Sequence, residues 1–370
     1  MEFYFPTRIV TGRGCVAANA ARLSAFGSRC LIVTGRTSAV KCGALADVER
    51  ALDRARVQYR VFDKITQNPL YSDCCNGAKA AREFGADFIV GIGGGSPLDA
   101  SKAVACLAPN PGAGESDMYA QTLENPPLPV VAVGTTAGTG SEVTQVAVIT
   151  GSNGQKKSFR SDSAFPVLAL GDPAYTEFMP DGVTRSTAAD ALAHCIESYF
   201  NTTANDFSRM YALSGAKVII DVFRSFPADG ALSKAQRDSL YQASLFGGIA
   251  ISVTGTCIPH SLSYFLTERH GVAHGAACAF WLPHFIEHNL KFAPMLCDEF
   301  FDFVKTTPSE LVSLLNDIIP KPRVSVSKSE LSELAPRWKN NSCLKKAMGG
   351  IGHEYLERLL EKEFLKQEEV

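Results

Sequence analysis

The sequence predicts two domains, an α/β domain with a parallel sheet covered by helices on both faces and an all-α domain after it. Its 370 residues are enough for two hydrophobic cores. In the first half, short β-rich segments alternate with helical patterns, which is typical of a parallel sheet. After Pro180, apolar residues recur at three- and four-residue spacing, which is typical of helices. We place the two domains at residues 1–177 and 178–370.

The predicted strands of the first domain are residues 30–34, 59–63, 88–92, 128–133 and 167–172. Helical patterns at 44–56 and 72–84 separate the first three of them. The segments 145–150 and 157–164 are joined by Asn153-Gly154, a pair typical of tight turns, and therefore predict an antiparallel hairpin. In the second domain, the periodicity predicts helices at 183–200, 207–223 and 234–251, with more of them towards the C-terminus.

The composition is that of an ordinary globular protein. A hydrophobic content of 46% and a net charge of -2 give no basis for a nucleic-acid partner or an acidic membrane partner. The chain has no run of eighteen apolar residues, and its first residues lack the pattern of a signal peptide. The eleven cysteines are odd in number and contain no CxxC pair, which favours reduced cysteines in a cytoplasmic protein.

Two loops rich in small residues follow successive predicted strands. The first, residues 93–97, reads Gly-Gly-Gly-Ser-Pro, and its glycines would let backbone N–H groups and a helix N-terminus approach a pyrophosphate. Ser96 and Asp99 fit a helix-capping pattern. The second loop, residues 134–142, adds threonine hydroxyls. Because both loops follow strands of one predicted sheet, a nucleotide phosphate site is favoured over two plain glycine turns.

One carboxylate and three histidines of the second domain have a spacing compatible with a metal site. Asp190 and His194 are four residues apart in a predicted helix, about 6 Å along one face. His260 and His274 would be about 21 Å apart in a continuous helix, so they can meet only if the chain turns back near residues 267–271. These residue types bind transition metals such as iron or zinc. On spacing alone, polar side chains at helix caps or in solvent explain the pattern equally well.

Four motifs in order resemble those of the iron-containing (group III) alcohol dehydrogenases. They are Gly93-Gly-Gly-Ser96-x-x-Asp99-x-x-Lys102, Thr135-Thr-Ala-Gly-Thr-Gly-Ser-Glu142, Asp190-x-x-x-His194, and His260 followed by His274-Gly275. The resemblance covers nearly the whole chain. It implies a dinucleotide-binding domain, a helical metal domain, and a site in the cleft between them. It also implies that Asp190, His194, His260 and His274 bind a divalent metal, with Fe²⁺ expected and Zn²⁺ or Mn²⁺ as alternatives.

The resemblance further implies a site for NAD or NADP. The residues expected to bind this cofactor are Gly35, Gly93, Gly94, Gly95, Ser96, Asp99, Thr135, Thr136, Thr139 and Lys157. Many NAD-preferring members of the family have an aspartate where this chain has Gly35, and that acid would repel a 2′-phosphate. Arg36 comes next, where it either pairs with the phosphate or faces solvent. NADPH is therefore expected to be tolerated.

Two residues are candidates for a catalytic role near the nicotinamide. Many family members carry a further histidine four residues after the third ligand, and this chain has Tyr264 at that position. A phenol can donate a hydrogen bond there but does not titrate near neutral pH. His270 is a second ring nearby in the sequence that either replaces the missing histidine or lies exposed in a loop.

The segment from His260 to Pro283 resembles the reductases of phosphonoacetaldehyde and sulfoacetaldehyde within this family. Such substrates carry a tetrahedral anion, so the cleft should supply a cation besides the metal. The candidates are Arg160, Arg185 and Arg269, each of which also fits a surface position. We therefore expect an NAD(P)H-dependent reductase of a small anionic aldehyde that forms a homodimer or a higher homo-oligomer.

Three alternatives stay open at this point. A general short-chain alcohol or diol dehydrogenase would use the same residues on a neutral substrate. A metal hydrolase would use the Asp/His set to activate water but would have no use for the glycine loops. A nucleotide-binding sensor would keep those loops and need no metal ligands.

Overall fold

Six parallel strands form the centre of the first half of the chain. The strands of this half are β1 (Arg8–Thr11), β2 (Arg29–Gly35), β3 (Gln58–Ile65), β4 (Phe88–Gly93), β5 (Val130–Gly134), β6 (Val146–Thr150), β7 (Lys156–Arg160) and β8 (Leu168–Gly171), and all of them except β6 and β7 belong to the parallel sheet. In the computed structural model, which describes residues 2–228, 230–339 and 341–365, the sheet order is β1-β8-β5-β4-β2-β3. Strands β6 and β7 form the antiparallel hairpin that the sequence predicts.

Helices surround this sheet and make up most of the second half. The helices before residue 130 are α1 (Cys15–Ala18), α2 (Ser38–Lys41), α3 (Ala44–Arg54), α4 (Tyr71–Phe84), α5 (Gly95–Leu107) and α6 (Glu115–Ala120). The later ones are α7 (Asp181–Tyr199), α8 (Asp206–Arg224), α9 (Lys234–Thr254), α10 (Ile258–His270), α11 (His274–Phe292), α12 (Pro294–Val304), α13 (Pro308–Ile318), α14 (Lys328–Lys339), α15 (Ser342–Lys345) and α16 (His353–Phe364). The predicted fold class, an α/β part followed by a helical part, is confirmed.

The sheet is covered on both faces, which explains why its central strands are apolar along their whole length. Every residue of β4 is buried. One face packs against α3 through Val48 and Leu52, and the other packs against α5 through Ala103 and Val104. Parallel sheets are stable when helices cover both faces, so continuous apolar strands rather than alternating ones are expected here.

The helical part has a core of its own that also includes residues from the sheet domain. Helices α7, α8 and α9 pack on one another around buried side chains such as Ile196, Ile219 and Leu240. Ala137 and Val143, from the loop after β5, belong to the same cluster. That loop therefore belongs to both parts of the molecule, and it holds the helical part against the carboxyl ends of the strands.

Long apolar helices in this part are core helices of the bundle. Within the described ranges, no single helix has both the length and the apolar composition required to cross a membrane. Helices α9 and α10 meet that requirement only when taken together, and they are bent by 108° at their junction.

The strand order creates a crevice at the carboxyl edge of the sheet. Successive strands are added on opposite sides of β2, because β3 lies on one side of it and β4 on the other. Open α/β sheets bind ligands at such a reversal. Gly35 and Gly93 end β2 and β4 at this edge, and Gly134 ends β5 in register with Gly93.

Candidate metal centre and cofactor cleft

Three helices bring the four predicted metal ligands together. Asp190 and His194 lie one turn apart on α7, His260 lies near the start of α10, and His274 is the first residue of α11. The chain turns back between α10 and α11 at Gly271, whose φ of +65° favours glycine. At its N-terminus α11 approaches α7 so closely that a Cβ on Gly275 would lie 1.7 Å from the Ser186 carbonyl oxygen. Glycine at position 275 is therefore what allows His274 to reach Asp190.

A ring nitrogen of each of the three histidines lies within 4 Å of one carboxylate oxygen of Asp190. Of the four predicted ligands, Asp190, His260 and His274 belong to a group whose donor atoms all lie within 4.8 Å of one another, and His194 is not part of that group. The carboxylate oxygen Oδ1 of Asp190 lies 3.3 Å from His260 Nε2, 3.7 Å from His274 Nε2 and 3.9 Å from His194 Nε2. The rings of His194 and His260 stack with centroids 4.5 Å apart. Asp190, His194 and His260 are at most 5% exposed, whereas the His274 side chain is 31% exposed.

Two of these atoms lack a hydrogen bond, which fits a bound cation. Asp190 Oδ1 and His260 Nε2 are buried and have no hydrogen-bond partner in the described part of the chain, although they lie 3.3 Å apart. An unsatisfied buried polar atom costs about 1–3 kcal/mol. Tetrahedral metal sites with bonds of about 2.0–2.3 Å place neighbouring donors about 3.3–3.8 Å apart, which is close to the separations found here. The residues present therefore fit a divalent transition metal.

The electrostatics of the cluster also favour a cation. Burial opposes the charge on Asp190, but the imidazoles of His194 and His274 outweigh it and hold the pKa of this carboxyl below its ordinary value. Burial lowers the pKa of His194 and lowers that of His274 to about 3. At His260, burial is overcome by Cys278 and the carboxylates of Glu197 and Asp190, which raise the pKa of this ring well above its ordinary value. The two carboxylates beside His260 thus attract positive charge.

Glu197 fixes the orientation of His260 and was missed at the level of sequence. It follows Asp190 and His194 on the same face of α7 and is completely buried. His260 Nδ1–H donates to Glu197 Oε1 at 2.5 Å, which directs Nε2 at Asp190. A carboxylate behind a ligand histidine sets its tautomer and orientation in many metal sites. Its position seven residues after Asp190, about two helical turns, places Glu197 on the face of α7 that carries the predicted ligands, and this spacing could have identified it from the sequence.

Tyr264 and Lys156 lie beside the cluster. The Tyr264 ring stacks on that of His274 with centroids 5.9 Å apart, and burial raises the pKa of its phenol. The Nζ atom of Lys156 lies 5.8 Å from the centre of the Tyr264 ring. Burial lowers the pKa of Lys156, and the carboxylates of Glu268 and Asp190 oppose this change.

Lys156, rather than Lys157, is directed at this cleft. Lys157 is exposed, and its Nζ lies 4.3 Å from the centre of the Tyr119 ring on the other side of the hairpin. Side chains alternate along a strand, so Lys156 and Arg160 share one face of β7 while Lys157 lies on the opposite face with Phe159. This two-residue period was the signal that distinguishes the two lysines.

The structure places His270 away from the metal cluster. His270 ends α10, about 15 Å along the helix axis from His260. Its Nε2 atom lies 3.0 Å from Glu330 Oε1 on α14. The helix continues through residues that the sequence left open as a loop, so this ring faces α14.

The three arginines proposed as anion-binding residues all have other contacts. Arg160 donates to the carbonyl oxygen of Ser252 near the end of α9, Arg185 pairs with Asp181, and Arg269 pairs with Glu333. The Arg185 pair is a one-turn pair on a single helix, and the other two arginines join neighbouring elements. Lys156 is thus the cation beside the metal cluster that makes no ion pair within 4 Å among the described residues.

The two glycine-rich loops pack against each other at the carboxyl edge of the sheet. A Cβ on Gly94 would lie 3.0 Å from Thr136 Cγ2, and a Cβ on Gly95 would lie 2.8 Å from Thr139 Cγ2. The second loop also touches α7, because a Cβ on Gly138 would lie 2.6 Å from Thr187 Cβ. These contacts connect the helix that carries Asp190 to the helix N-terminus after β4. Thr135 is buried at the start of the second loop, and its N–H donates to the Gly93 carbonyl oxygen.

The predicted capping role of Ser96 and Asp99 is wrong. Helix α5 already begins at Gly95, with Gly94 as its N-cap and no capping side chain, so Ser96 lies inside the first turn. The Ser96 hydroxyl accepts a hydrogen bond from the N–H of Asn68. Asp99 accepts hydrogen bonds from Ser141 Oγ and from the N–H of Val148, at 2.6 and 2.9 Å. These two side chains tie the loops together rather than cap the helix.

A parallel sheet with glycine loops at its carboxyl edge, joined to a helical bundle that carries an Asp/His cluster, is the arrangement expected of a metal-dependent, nucleotide-binding enzyme. The family model for iron-containing alcohol dehydrogenases matches residues 6–173, and the model for the C-terminal part of the same family matches residues 184–347. The chain belongs to the iron-containing alcohol dehydrogenase family, and it is an oxidoreductase.

Individual relatives agree with this assignment. The chain is 32% identical to the 1,3-propanediol dehydrogenase of Citrobacter freundii over 72% of each protein. The crystal structure of an iron-containing alcohol dehydrogenase from Thermotoga maritima is similar with a TM-score of 0.90 and 32% identity, covering 98% of both chains. A sulfoacetaldehyde reductase from Bifidobacterium kashiwanohense, solved with NAD⁺, is similar with a TM-score of 0.85 and 25% identity, again over 98% of both chains.

Proposed function

We propose that this protein uses a divalent metal and NADH or NADPH to reduce a small aldehyde, or to oxidise the corresponding alcohol. One observation carries this proposal. The second glycine-rich loop contacts both the helix N-terminus after β4 and the helix that carries Asp190 and His194. A dinucleotide bound at the sheet edge would therefore end next to the metal cluster, where hydride transfer can occur.

The residues of the cleft have separate tasks in this reaction. Asp190, His194, His260 and His274 would hold the metal, whose contribution is Lewis-acid stabilisation of the charge on the carbonyl oxygen, worth several kcal/mol. The backbone N–H groups of the first glycine loop would bind the pyrophosphate. The nicotinamide would supply the hydride. Tyr264 stacks on one face of His274 and would restrict the access of water to that face.

The test of this proposal is NAD(P)H-dependent turnover. The purified protein should oxidise NADH or NADPH when a short-chain aldehyde is added, and removal of the metal by a chelator should abolish that oxidation. Restoring Fe²⁺ or Zn²⁺ should recover it. Hydrolysis of an ester or amide without any change in NADH absorbance would contradict the proposal.

For the substrate we propose a small anionic aldehyde, with sulfoacetaldehyde and phosphonoacetaldehyde as the compounds to test. Lys156 supports this, because its ammonium group is partly buried beside the metal cluster and makes no ion pair within 4 Å among the described residues. A sulfonate or phosphonate two carbons from the reacting carbonyl oxygen could reach such a cation. The similarity to a sulfoacetaldehyde reductase points the same way.

Lys156→Met and Lys157→Met form a matched pair for this test. Lys156→Met should raise KM for sulfoacetaldehyde at least about tenfold and leave KM for propionaldehyde unchanged, since one charge-assisted contact is worth about 1.5–3 kcal/mol. Lys157→Met should change neither value, because this lysine faces Tyr119. An equal rise in KM for both aldehydes would assign Lys156 to the cofactor or the metal instead.

A neutral short-chain alcohol or diol is the second candidate substrate. The contacts of Arg160, Arg185 and Arg269 with other groups favour it, because they leave the cleft with fewer cations. The similarity to a 1,3-propanediol dehydrogenase favours it as well. Higher kcat/KM for propionaldehyde and lactaldehyde than for the two anionic aldehydes would establish this alternative. The homo-oligomeric state and the cytoplasmic location stay predictions from the sequence.

A further inference from the structure

Cys278 lies among the candidate metal ligands, although none of the sequence motifs identified it as a ligand. It follows His274 by one turn on α11 and is completely buried. Its Sγ atom lies 3.9 Å from His274 Nε2. One donor atom from each of Asp190, His260, His274 and Cys278 lies within 4.8 Å of all the others. The thiol therefore belongs to the same group of mutually close donor atoms as the imidazoles of His260 and His274.

The surroundings of Cys278 differ from those of a cysteine that only fills space. Cys195 provides the comparison, because it is also completely buried and directly follows a ligand residue, His194. The Cys195 sulfur faces α8 and α9, where a Cβ on Gly215 would meet it at 2.6 Å. Cys278 Sγ instead faces the unpaired buried atoms Asp190 Oδ1 and His260 Nε2.

We propose that Cys278 binds the metal as a thiolate, which gives the centre a mixed carboxylate, imidazole and thiolate donor set. This inference rests on the metal centre of the proposed function. As the metal–sulfur bond forms, the S–H bond breaks, the proton passes to solvent, and no electron is transferred. The thiolate and the Asp190 carboxylate together balance the charge of a divalent ion. Soft thiolate ligands select zinc and iron over manganese, so the residue biases the choice of metal.

Cobalt substitution tests this proposal directly, because a thiolate bound to Co²⁺ gives an intense near-ultraviolet charge-transfer band. The apoprotein is loaded with Co²⁺, and bound cobalt per chain is measured together with the spectrum. The wild type and Cys195→Ala should both bind one cobalt and show the band. Cys278→Ser and Cys278→Ala should still bind cobalt through the remaining ligands, but without the band.

Competition between Zn²⁺ and Mn²⁺ provides the second readout. The preference of the wild type for Zn²⁺ should fall at least about tenfold in Cys278→Ser, since even outer-shell changes cost 10–100-fold in metal affinity. Wild-type protein that binds cobalt without the band would overturn the proposal and leave the metal-dependent reaction standing. A band that persists in Cys278→Ala would also overturn it. Wild-type protein that binds no cobalt at all would refute the metal centre of the proposed function itself.

Discussion

Replacing Glu197 with glutamine is expected to weaken metal binding about 10–100-fold while the protein still folds. Glu197 accepts hydrogen bonds from His260 Nδ1–H, from the His260 N–H and from the Cys257 N–H. Glutamine keeps the shape and one acceptor oxygen, but it loses the charge and turns an NH₂ group towards one of these donors. His260 is then held less firmly in the orientation that faces Asp190, and partners of this kind contribute 10–100-fold to metal affinity.

The same contacts show why alanine is the wrong substitution at position 197. Alanine would leave three buried N–H donors without an acceptor, at about 1–3 kcal/mol each. The sum of about 3–9 kcal/mol is comparable to the whole free energy of unfolding of a typical domain, about 5–15 kcal/mol. Glu197→Ala would therefore unfold much of the protein and would report on stability rather than on the metal.

The assay is Zn²⁺ affinity by competition with a chelator, with a thermal melt of each apoprotein. Glu142→Gln is the matched control, because Glu142 is also buried and accepts a hydrogen bond from Tyr241 Oη at 3.0 Å. We expect similar melting temperatures for the two variants and a loss of Zn²⁺ affinity in Glu197→Gln alone. Equal Zn²⁺ affinity in Glu197→Gln and wild type would refute the positioning role.

Three further perturbations address the cofactor and the core. Gly95→Ala should weaken NADH binding about tenfold and leave the metal content unchanged. The reason is that the new Cβ would lie 2.8 Å from Thr139 Cγ2, and overpacking of this kind costs about 1–3 kcal/mol. A fluorescence titration that shows the wild-type affinity for NADH would contradict this prediction. Gly35→Asp should lower kcat/KM for NADPH more than for NADH, because the new carboxylate would repel a 2′-phosphate beside the exposed Arg36. A wild-type preference for NADH above about a hundredfold would contradict the expectation that this cleft tolerates NADPH. Burial raises the pKa of Cys195 to about 12, so the folded state keeps this proton while the unfolded state loses it above about pH 9. Between these two pH values, the free energy of unfolding of the wild type should therefore fall with pH more steeply than that of Cys195→Ala, by about 1.4 kcal/mol per pH unit. Urea unfolding at several pH values measures this difference, and parallel curves for the two proteins would count against it.

The sheet and the helices could be predicted because burial leaves a clear pattern in this sequence. Strands such as β4 are covered on both faces, so they are apolar throughout and easy to recognise. Strand β1 was not predicted, because it has four residues, lies at the edge of the sheet and is only partly buried. Its place is set by pairing with β8, a partner about 160 residues later, which no local pattern reveals.

The candidate site was predictable where its residues share one helix and less so where helices meet. Asp190 and His194 are neighbours by helical periodicity alone, whereas Cys278 joins them only because Gly275 lets α11 approach α7. Arg160 was predicted as an anion-binding residue for a similar reason, because its hydrogen bond to the carbonyl oxygen of Ser252 joins segments far apart in the sequence and leaves no local pattern. Long-range contacts of this kind decide which charged side chain near the candidate metal ligands has no ion-pair partner, and the local sequence does not reveal them.

One metal centre and one cofactor site are expected to act together in a single cleft. The most direct test is to measure bound metal per chain and aldehyde-dependent NAD(P)H oxidation in the wild type and in His260→Ala, with circular dichroism of both proteins. We expect one divalent metal and full activity in the wild type, and loss of both in a His260→Ala protein that remains folded and still binds NADH. A folded His260→Ala protein that oxidises NADH with an aldehyde at the wild-type rate would contradict it.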